Sequence, residues 1–339
     1  MRIITLEEHY TDDSIIRANQ AYTKPAKPLT PKEQEAQEYL RSRQLIGEKL
    51  TEFSDRLRFM DEQGITMQVL SLTSPVSDQV PAAEAVRICR QANDLTARHI
   101  AEHPDRFAGF ATLPMADPEA AADELERAVR ELRLSGALLA GRYRGRFYNE
   151  AEFFPIFERA AALDVPIYFH PALVPQEVLN AYYLSDNYPV AAGLELSSAG
   201  YGWHVDTGIQ VMRLILSGIF DKLPNLKIIS GHWGETNPIC LERMDTVITP
   251  EITGLKEKIS TYYKEHVYLT PSGILSQDQL NFMVQLMGAD HILYAIDYPY
   301  MAPTSSGSFL EESDLSAEDK EKIAHKNAER LLHLKPADA

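Results

Sequence analysis

Residues 67–113 read MQVLSLTSPVSDQVPAAEAVRICRQANDLTARHIAEHPDRFAGFATL. A short apolar run, MQVLSL (67–72), is followed by a long amphipathic stretch over 82–103 and a second apolar run, FAGFATL (107–113). The short runs predict buried strands and the long stretch a helix. Two strands joined through a helix lie parallel, because a parallel pair needs a crossover of a dozen residues or more. The same alternation continues on both sides. RIITLE (2–7) comes before it; GALLA (136–140), PIYFH (166–170), KIISGH (227–232), VYLT (267–270) and HILYAID (291–297) come after. Further helices are predicted near 44–63, 117–132, 151–163, 207–221, 235–247, 276–287 and 316–333. In ADPEAA, Asp117 before Pro118 reads as an N-cap followed by proline at the first helical position. The run EAAADELERAVREL then carries apolar residues three and four apart.

Eight strand–helix units predict an α/β fold, a (β/α)8 barrel of the TIM type, for which about 250 residues is typical. The chain has 339 residues. The expectation is therefore one barrel domain over 1–339 with insertions near 11–43 and 171–206. The first contains the Pro- and charge-rich TKPAKPLTPKEQEAQ. The second carries Tyr182, Tyr183, Tyr188, Tyr201 and Trp203. Aromatics there suit the wall of a ring-binding pocket and equally a subunit interface.

Composition narrows the function classes. Hydrophobic residues make up 45% and charged residues 24%, which is globular rather than disordered. A net charge of −16 argues against nucleic acid or an anionic membrane as partner. No apolar run approaches a bilayer span, and the N-terminus lacks a basic region followed by an apolar one. The two cysteines, Cys89 and Cys240, are far apart and form no CxxC spacing. They read as reduced thiols in a cytoplasmic protein.

In a barrel of this kind the C-terminal ends of the strands form the active face. Strand one ends at Glu7, Glu8 and His9, strand five at His170, strand six in SGHWGE with His232 and Glu235, and strand eight at Asp297. Alternation puts Glu7 and His9 on one side of their strand and Glu8 on the other. Glu7, His9, His170 and Asp297 can converge on one divalent ion, and two carboxylates with two imidazoles suit zinc or manganese. The remaining histidines, His99, His103, His204, His266, His291, His325 and His333, read as structural, His204 least clearly because it lies in the long loop near the barrel mouth.

Glu7-x-His9, HisPro at 170–171, GHWGE (231–235) and IDYPY (296–300), together with LTSP (72–75), HPDRFAGFATLP (103–114) and GIFDKLPNLKIISGHWGE (218–235), resemble the amidohydrolase superfamily. The resemblance is to the branch of aminocarboxymuconate-semialdehyde decarboxylase and the hydroxybenzoate decarboxylases. It spans nearly the whole chain. Semialdehyde decarboxylases usually carry HxH at the first strand; Glu7-x-His9 favours the hydroxybenzoate side, with its γ-resorcylate, 2,3-dihydroxybenzoate and 5-carboxyvanillate types. Some relatives replace the histidine by alanine, whereas His9 is kept here.

The resemblance implies a divalent-metal-dependent, non-oxidative decarboxylase of an ortho-hydroxylated aromatic acid. Glu7, His9, His170 and Asp297 match its metal ligands, for one ion of zinc, manganese or magnesium. Asp297 matches the proton donor, His232 and Glu235 a pair beside the substrate, and Arg243 a substrate-binding arginine. The alternatives are a surface ion pair of Arg243 with Glu242 or Asp245, and a helix N-terminus for Glu235. Relatives of this kind form homodimers or homotetramers. The same barrel also supports a metal-dependent hydrolase of a lactone or amide.

Overall fold

Among the described residues seven parallel strands form in the expected order. They are β1 (Ile4–Tyr10), β2 (Met67–Leu72), β3 (Phe107–Gly109), β4 (Ala137–Ala140), β5 (Ile167–His170), β6 (Ile228–Ser230) and β7 (Val267–Leu269). This computed structural model describes residues 1–22, 34, 35, 38, 39, 47–73, 76 and 78–335. Most of the predicted 11–43 insertion, residues 44–46 of the first predicted long helix, and Ser74 and Pro75 of LTSP lie outside the described residues.

Parallel ladders join β1 to β2 to β3, and β4 to β5 to β6 to β7. Single parallel bridges close the remaining gaps: Ala111 with Ala137, Leu269 with Ile292, and Leu6 with Ala295. The eighth predicted strand, 291–297, therefore occupies its place between β7 and β1 without forming a regular ladder. Its segment is fixed by Leu293 N–H to Leu269 C=O at 2.8 Å and by Leu6 N–H to Tyr294 C=O at 2.9 Å. The ring is that of a (β/α)8 barrel.

Strand side chains sort into two layers. Ile4, Leu6, Met67, Val69, Ala108, Phe110, Tyr168, Ile229, Tyr268, Leu293 and Ala295 pack together inside the ring, and Ala328, Leu331 and Leu332 of the last helix join that inner core. Ile3, Tyr10, Leu70, Leu72, Ile167, Phe169, Ile228, Tyr294 and Ile296 point outward into the layer shared with the helices. The helix Ala82–Glu102 supplies Ala85, Ile88 and Ala92 to that layer, at the spacing that puts them on one face. Asp117 caps the helix Pro118–Arg130 as predicted, accepting from Ala120 N–H. The insert at 171–206 folds into short helical segments, including Val190–Ser197 and the first turn of Gly202–Leu216. Within it Tyr183 is buried, while Tyr182, Tyr188 and Tyr201 are exposed.

β1 departs from simple alternation. Its register with β2 shifts between Thr5 and Glu8, and Glu7 sits at φ 61° in the left-handed region. This is a β-bulge. Strict alternation would keep Glu8 in phase with Ile4 and Leu6 and turn Glu7 and His9 toward the helices. The bulge resets the phase, so Glu7 and His9 face the barrel axis and Glu8 faces outward.

Candidate metal centre and active site

Ligand atoms of Glu7, His9, His170 and Asp297 lie within 4.8 Å of one another. The strand ends bring all four together as the sequence predicted. His170 Nε2 is 3.2 Å from Glu7 Oε1, and His9 Nε2 is 3.2 Å from Asp297 Oδ1. Glu7 Oε2 is held from below by the hydroxyls of Tyr168 and Ser272, and Thr270 completes that hydroxyl group. His170 Nδ1 lies 2.7 Å from the Pro171 carbonyl. A carbonyl only accepts, so the proton sits on Nδ1 and the Nε2 lone pair is left for a cation.

Three buried atoms in this cluster have no hydrogen-bond partner: Glu7 Oε1, His9 Nε2 and Asp297 Oδ1. Orphaned polar atoms at this depth are costly unless something binds them. Two carboxylates and two imidazoles with inward-facing lone pairs fit a divalent ion, so the cluster is a divalent-metal-binding site. Burial alone would raise the Glu7 carboxyl, but the His232 imidazole beside it holds it well below the usual carboxylate range. Burial and the neighbouring Glu7 carboxylate push Asp297 well above that range. Burial, with His170 nearby, keeps His9 neutral.

Gly231 makes room for this arrangement. A Cβ there would stand 3.0 Å from both Glu7 Oε2 and Ser272 Oγ, and 3.2 Å from the Tyr168 hydroxyl. Non-glycine residues in the left-handed region gather at the same rim: Glu7, His232, Trp233, Glu235, Thr236, Ser272 and Asp297. Each such residue costs about 1–2 kcal/mol, and strain of this kind collects where a site requires a particular side-chain direction.

The GHWGE segment leaves β6 in that left-handed turn instead of continuing as a strand to His232. The turn folds His232 back onto Glu235, Nδ1 to Oε1 at 2.8 Å, and points its Nε2 toward Glu7 Oε1 at 3.8 Å. Burial would lower the His232 imidazole, but Glu235 and Glu7 raise it to about 10. Glu235 caps no helix; it is wholly buried as the partner of two imidazoles. The second is His204, whose Nδ1 lies 2.7 Å from Glu235 Oε2. His204 reads as structural in the sequence and is instead a partner of Glu235; the signal for it is its position at the end of the aromatic insert beside Trp203.

Glu8 accepts from Ile296 N–H at 3.1 Å, Tyr298 N–H at 3.3 Å and the Gln68 amide at 3.1 Å. Gln68 in turn binds the buried Arg56, which also donates to the His9 carbonyl. This outward network splints the rear of the metal cluster. Arg243, on the helix Leu241–Val247, is exposed and makes no hydrogen bond or ion pair among the described residues. Asp245 accepts instead from the Ser260 N–H and hydroxyl. A cavity of about 200 Å³ is lined by Thr112, Leu138, Ala140, Arg142, Tyr143 and Ala172 among others, and by none of the four cluster residues. Among the described residues no helix is long and apolar enough to cross a membrane.

Comparison with known proteins agrees with this geometry. A gamma-resorcylate decarboxylase of Polaromonas sp. is 35% identical over 344 residues, 98% of each chain. The crystal structure of 5-carboxyvanillate decarboxylase from Sphingomonas paucimobilis is 30% identical and superposes with a TM-score of 0.86, covering 98% of this chain and 99% of that one. A dihydroxybenzoic acid decarboxylase from Polaromonas sp., solved with manganese and the inhibitor 2-nitroresorcinol, is 33% identical with a TM-score of 0.83, covering 99% and 98%. A family model described as Amidohydrolase matches residues 47–334. The chain belongs to the amidohydrolase family, in its hydroxybenzoate and resorcylate decarboxylase branch.

Proposed function

We propose that this chain catalyses the divalent-metal-dependent, non-oxidative decarboxylation of an ortho-hydroxylated aromatic acid of the dihydroxybenzoate type. The observation that carries the reading is the pairing of the metal cluster with His232. Glu235 clamps Nδ1 of that imidazole, and the Glu235 charge favours its proton-bearing form. A hydrolase on the same barrel would use Asp297 as the base that activates water.

Simple loss of carbon dioxide would leave an unstable aryl anion. An ortho hydroxyl opens a lower path: a proton adds to the carbon bearing the carboxylate, and the ring becomes a ketone-like intermediate. The carbon–carboxyl bond then breaks, its electron pair restores the ring, and carbon dioxide leaves with the proton retained on carbon. Glu7, His9, His170 and Asp297 would hold the ion, with manganese suggested by the relative solved with it and zinc and magnesium as the other candidates. Bound there, it supplies Lewis acidity toward the substrate's phenolate and carboxylate oxygens.

In this reading Asp297 also delivers the proton, after the substrate has changed its coordination; burial and the Glu7 charge then favour its protonated form. His232 donates a hydrogen bond to a substrate oxygen, and Glu235 holds its orientation. Arg243 binds the substrate carboxylate or phenolate through its guanidinium fork, and its lack of a partner among the described residues leaves it free for that. The chain acts as one domain over 1–339, in the cytoplasm, and as a homodimer or homotetramer. The exposed Tyr182, Tyr201, Ile239 and Ile252 favour self-association.

The test is carbon dioxide release from a panel of ortho-hydroxybenzoates that includes 2,6- and 2,3-dihydroxybenzoate. Release that stops with chelator and returns with one divalent ion supports the reading. A metal-loaded protein that releases none, yet opens lactones or amides, overturns it.

A further inference from the structure

We infer that His204, carried by the 171–206 insert, is a positioning residue: it fixes the Glu235 carboxylate that in turn orients His232. Both carboxylate oxygens of Glu235 are occupied. Oε1 lies 2.8 Å from His232 Nδ1 and Oε2 lies 2.7 Å from His204 Nδ1, with the two rings 4.5 Å apart. Glu235 is fully buried, so removing His204 strips one oxygen of its partner where water does not reach. The carboxylate would then turn to regain a bond, and His232 would turn with it.

His204 is itself held. The Trp203 indole N–H donates to its Nε2 at 3.1 Å, which leaves the Nδ1 proton for Glu235. Its helix is seated on the GHWGE turn without play. A Cβ at Gly208 would stand 2.4 Å from the Glu235 carbonyl, and Asn237 Nδ2 donates to the Gly208 carbonyl at 3.0 Å. The insert is thus part of the active centre, because it supplies the outer wall of the Glu235 clamp.

A second ion held by His204, His232 and Glu235 is the competing reading, since their ligand atoms are also close together. Hydrogen bonding argues against it. Neither Glu235 oxygen, nor either Nδ1, is among the buried atoms lacking a partner, whereas three atoms of the first cluster are. The group is complete without an ion.

The inference rests on the decarboxylase reading only for its activity measurements. The experiment compares wild type with His204→Phe, which fills the space without a donor, and with His204→Asn, which retains one. Expected for His204→Phe is a fall in kcat of about 10–100-fold, with KM and metal content unchanged, and recovery of most of kcat in His204→Asn. Proton NMR should show two strongly downfield imidazole N–H resonances in wild type, one in His204→Phe and neither in Glu235→Gln. An unchanged kcat in His204→Phe would overturn the inference, as would loss of kcat in step with metal content. Two ions per wild-type chain falling to one in His204→Phe would replace it with the second-ion reading. If wild type releases no carbon dioxide from any substrate, the decarboxylase reading fails, and the NMR resonances still decide the role of His204.

Discussion

Two clusters of acidic and imidazole side chains sit side by side on the barrel mouth, and they differ in what they lack. Glu7, His9, His170 and Asp297 face one another with three buried atoms unpartnered. His204, His232 and Glu235 satisfy one another through two short hydrogen bonds. Residue types alone would rate both as metal sites. The difference shows that the accounting of hydrogen bonds, not the presence of histidine and glutamate, separates a site that needs an ion from one that holds a proton in place.

The sharpest way to break this contrast is Asp297→Asn. Asparagine keeps the shape but carries neither the charge for an ion nor an acidic proton. We expect turnover to fall by at least about 10³-fold, in the range of a lost general acid, with the fold preserved by circular dichroism. Full activity would remove Asp297 from the chemistry. Next comes Glu235→Gln, which should lower kcat by about 10²-fold while the metal content by elemental analysis stays that of wild type. The same loss with the ion gone would merge the two clusters into one.

Gly231→Ala tests the first cluster from behind. Its new methyl group would crowd Glu7 Oε2 and Ser272. A metal titration should show affinity weakened by about 10–100-fold with little change in kcat at saturating ion. Unchanged affinity would mean that Glu7 has room to move.

The smallest effect concerns the outward face of β1. Burial pushes the Glu8 carboxyl up to about 8, against the N–H donors of Ile296 and Tyr298 and the Arg56 charge. The folded chain keeps a proton there that the unfolded chain releases near the ordinary carboxylate value. That stabilisation is complete at low pH and is lost as pH rises through about 8. Glu8→Gln should therefore flatten the decline of Tm between about pH 5 and 9, as calorimetry would show.

Much of this was legible in the sequence, and the remainder was hidden for definite reasons. The strands could be read because each is a short apolar run between amphipathic stretches, and the ligands because each ends a strand. The bulge at Glu7 could not be read. Alternation correctly put Glu7 and His9 on one face, but only a left-handed residue brings that face to the barrel axis. The eighth strand keeps its alternating pattern, yet single bridges replace a ladder, and no local propensity signals that. The turn at GHWGE ends β6 early because five consecutive residues, His232 to Thr236, adopt left-handed backbone, which aims His232 inward. His204 was missed because its partner lies 31 positions away, and such a contact leaves no local pattern.

The most direct test of the central claim is the metal content and carbon dioxide release of His170→Ala and Glu235→Gln measured together, with 2,6-dihydroxybenzoate as substrate. The account predicts one ion per wild-type chain, the ion and turnover both lost in His170→Ala, and turnover alone lost in Glu235→Gln. An ion retained in His170→Ala, or lost in Glu235→Gln, would contradict the division between the two clusters on which the account stands.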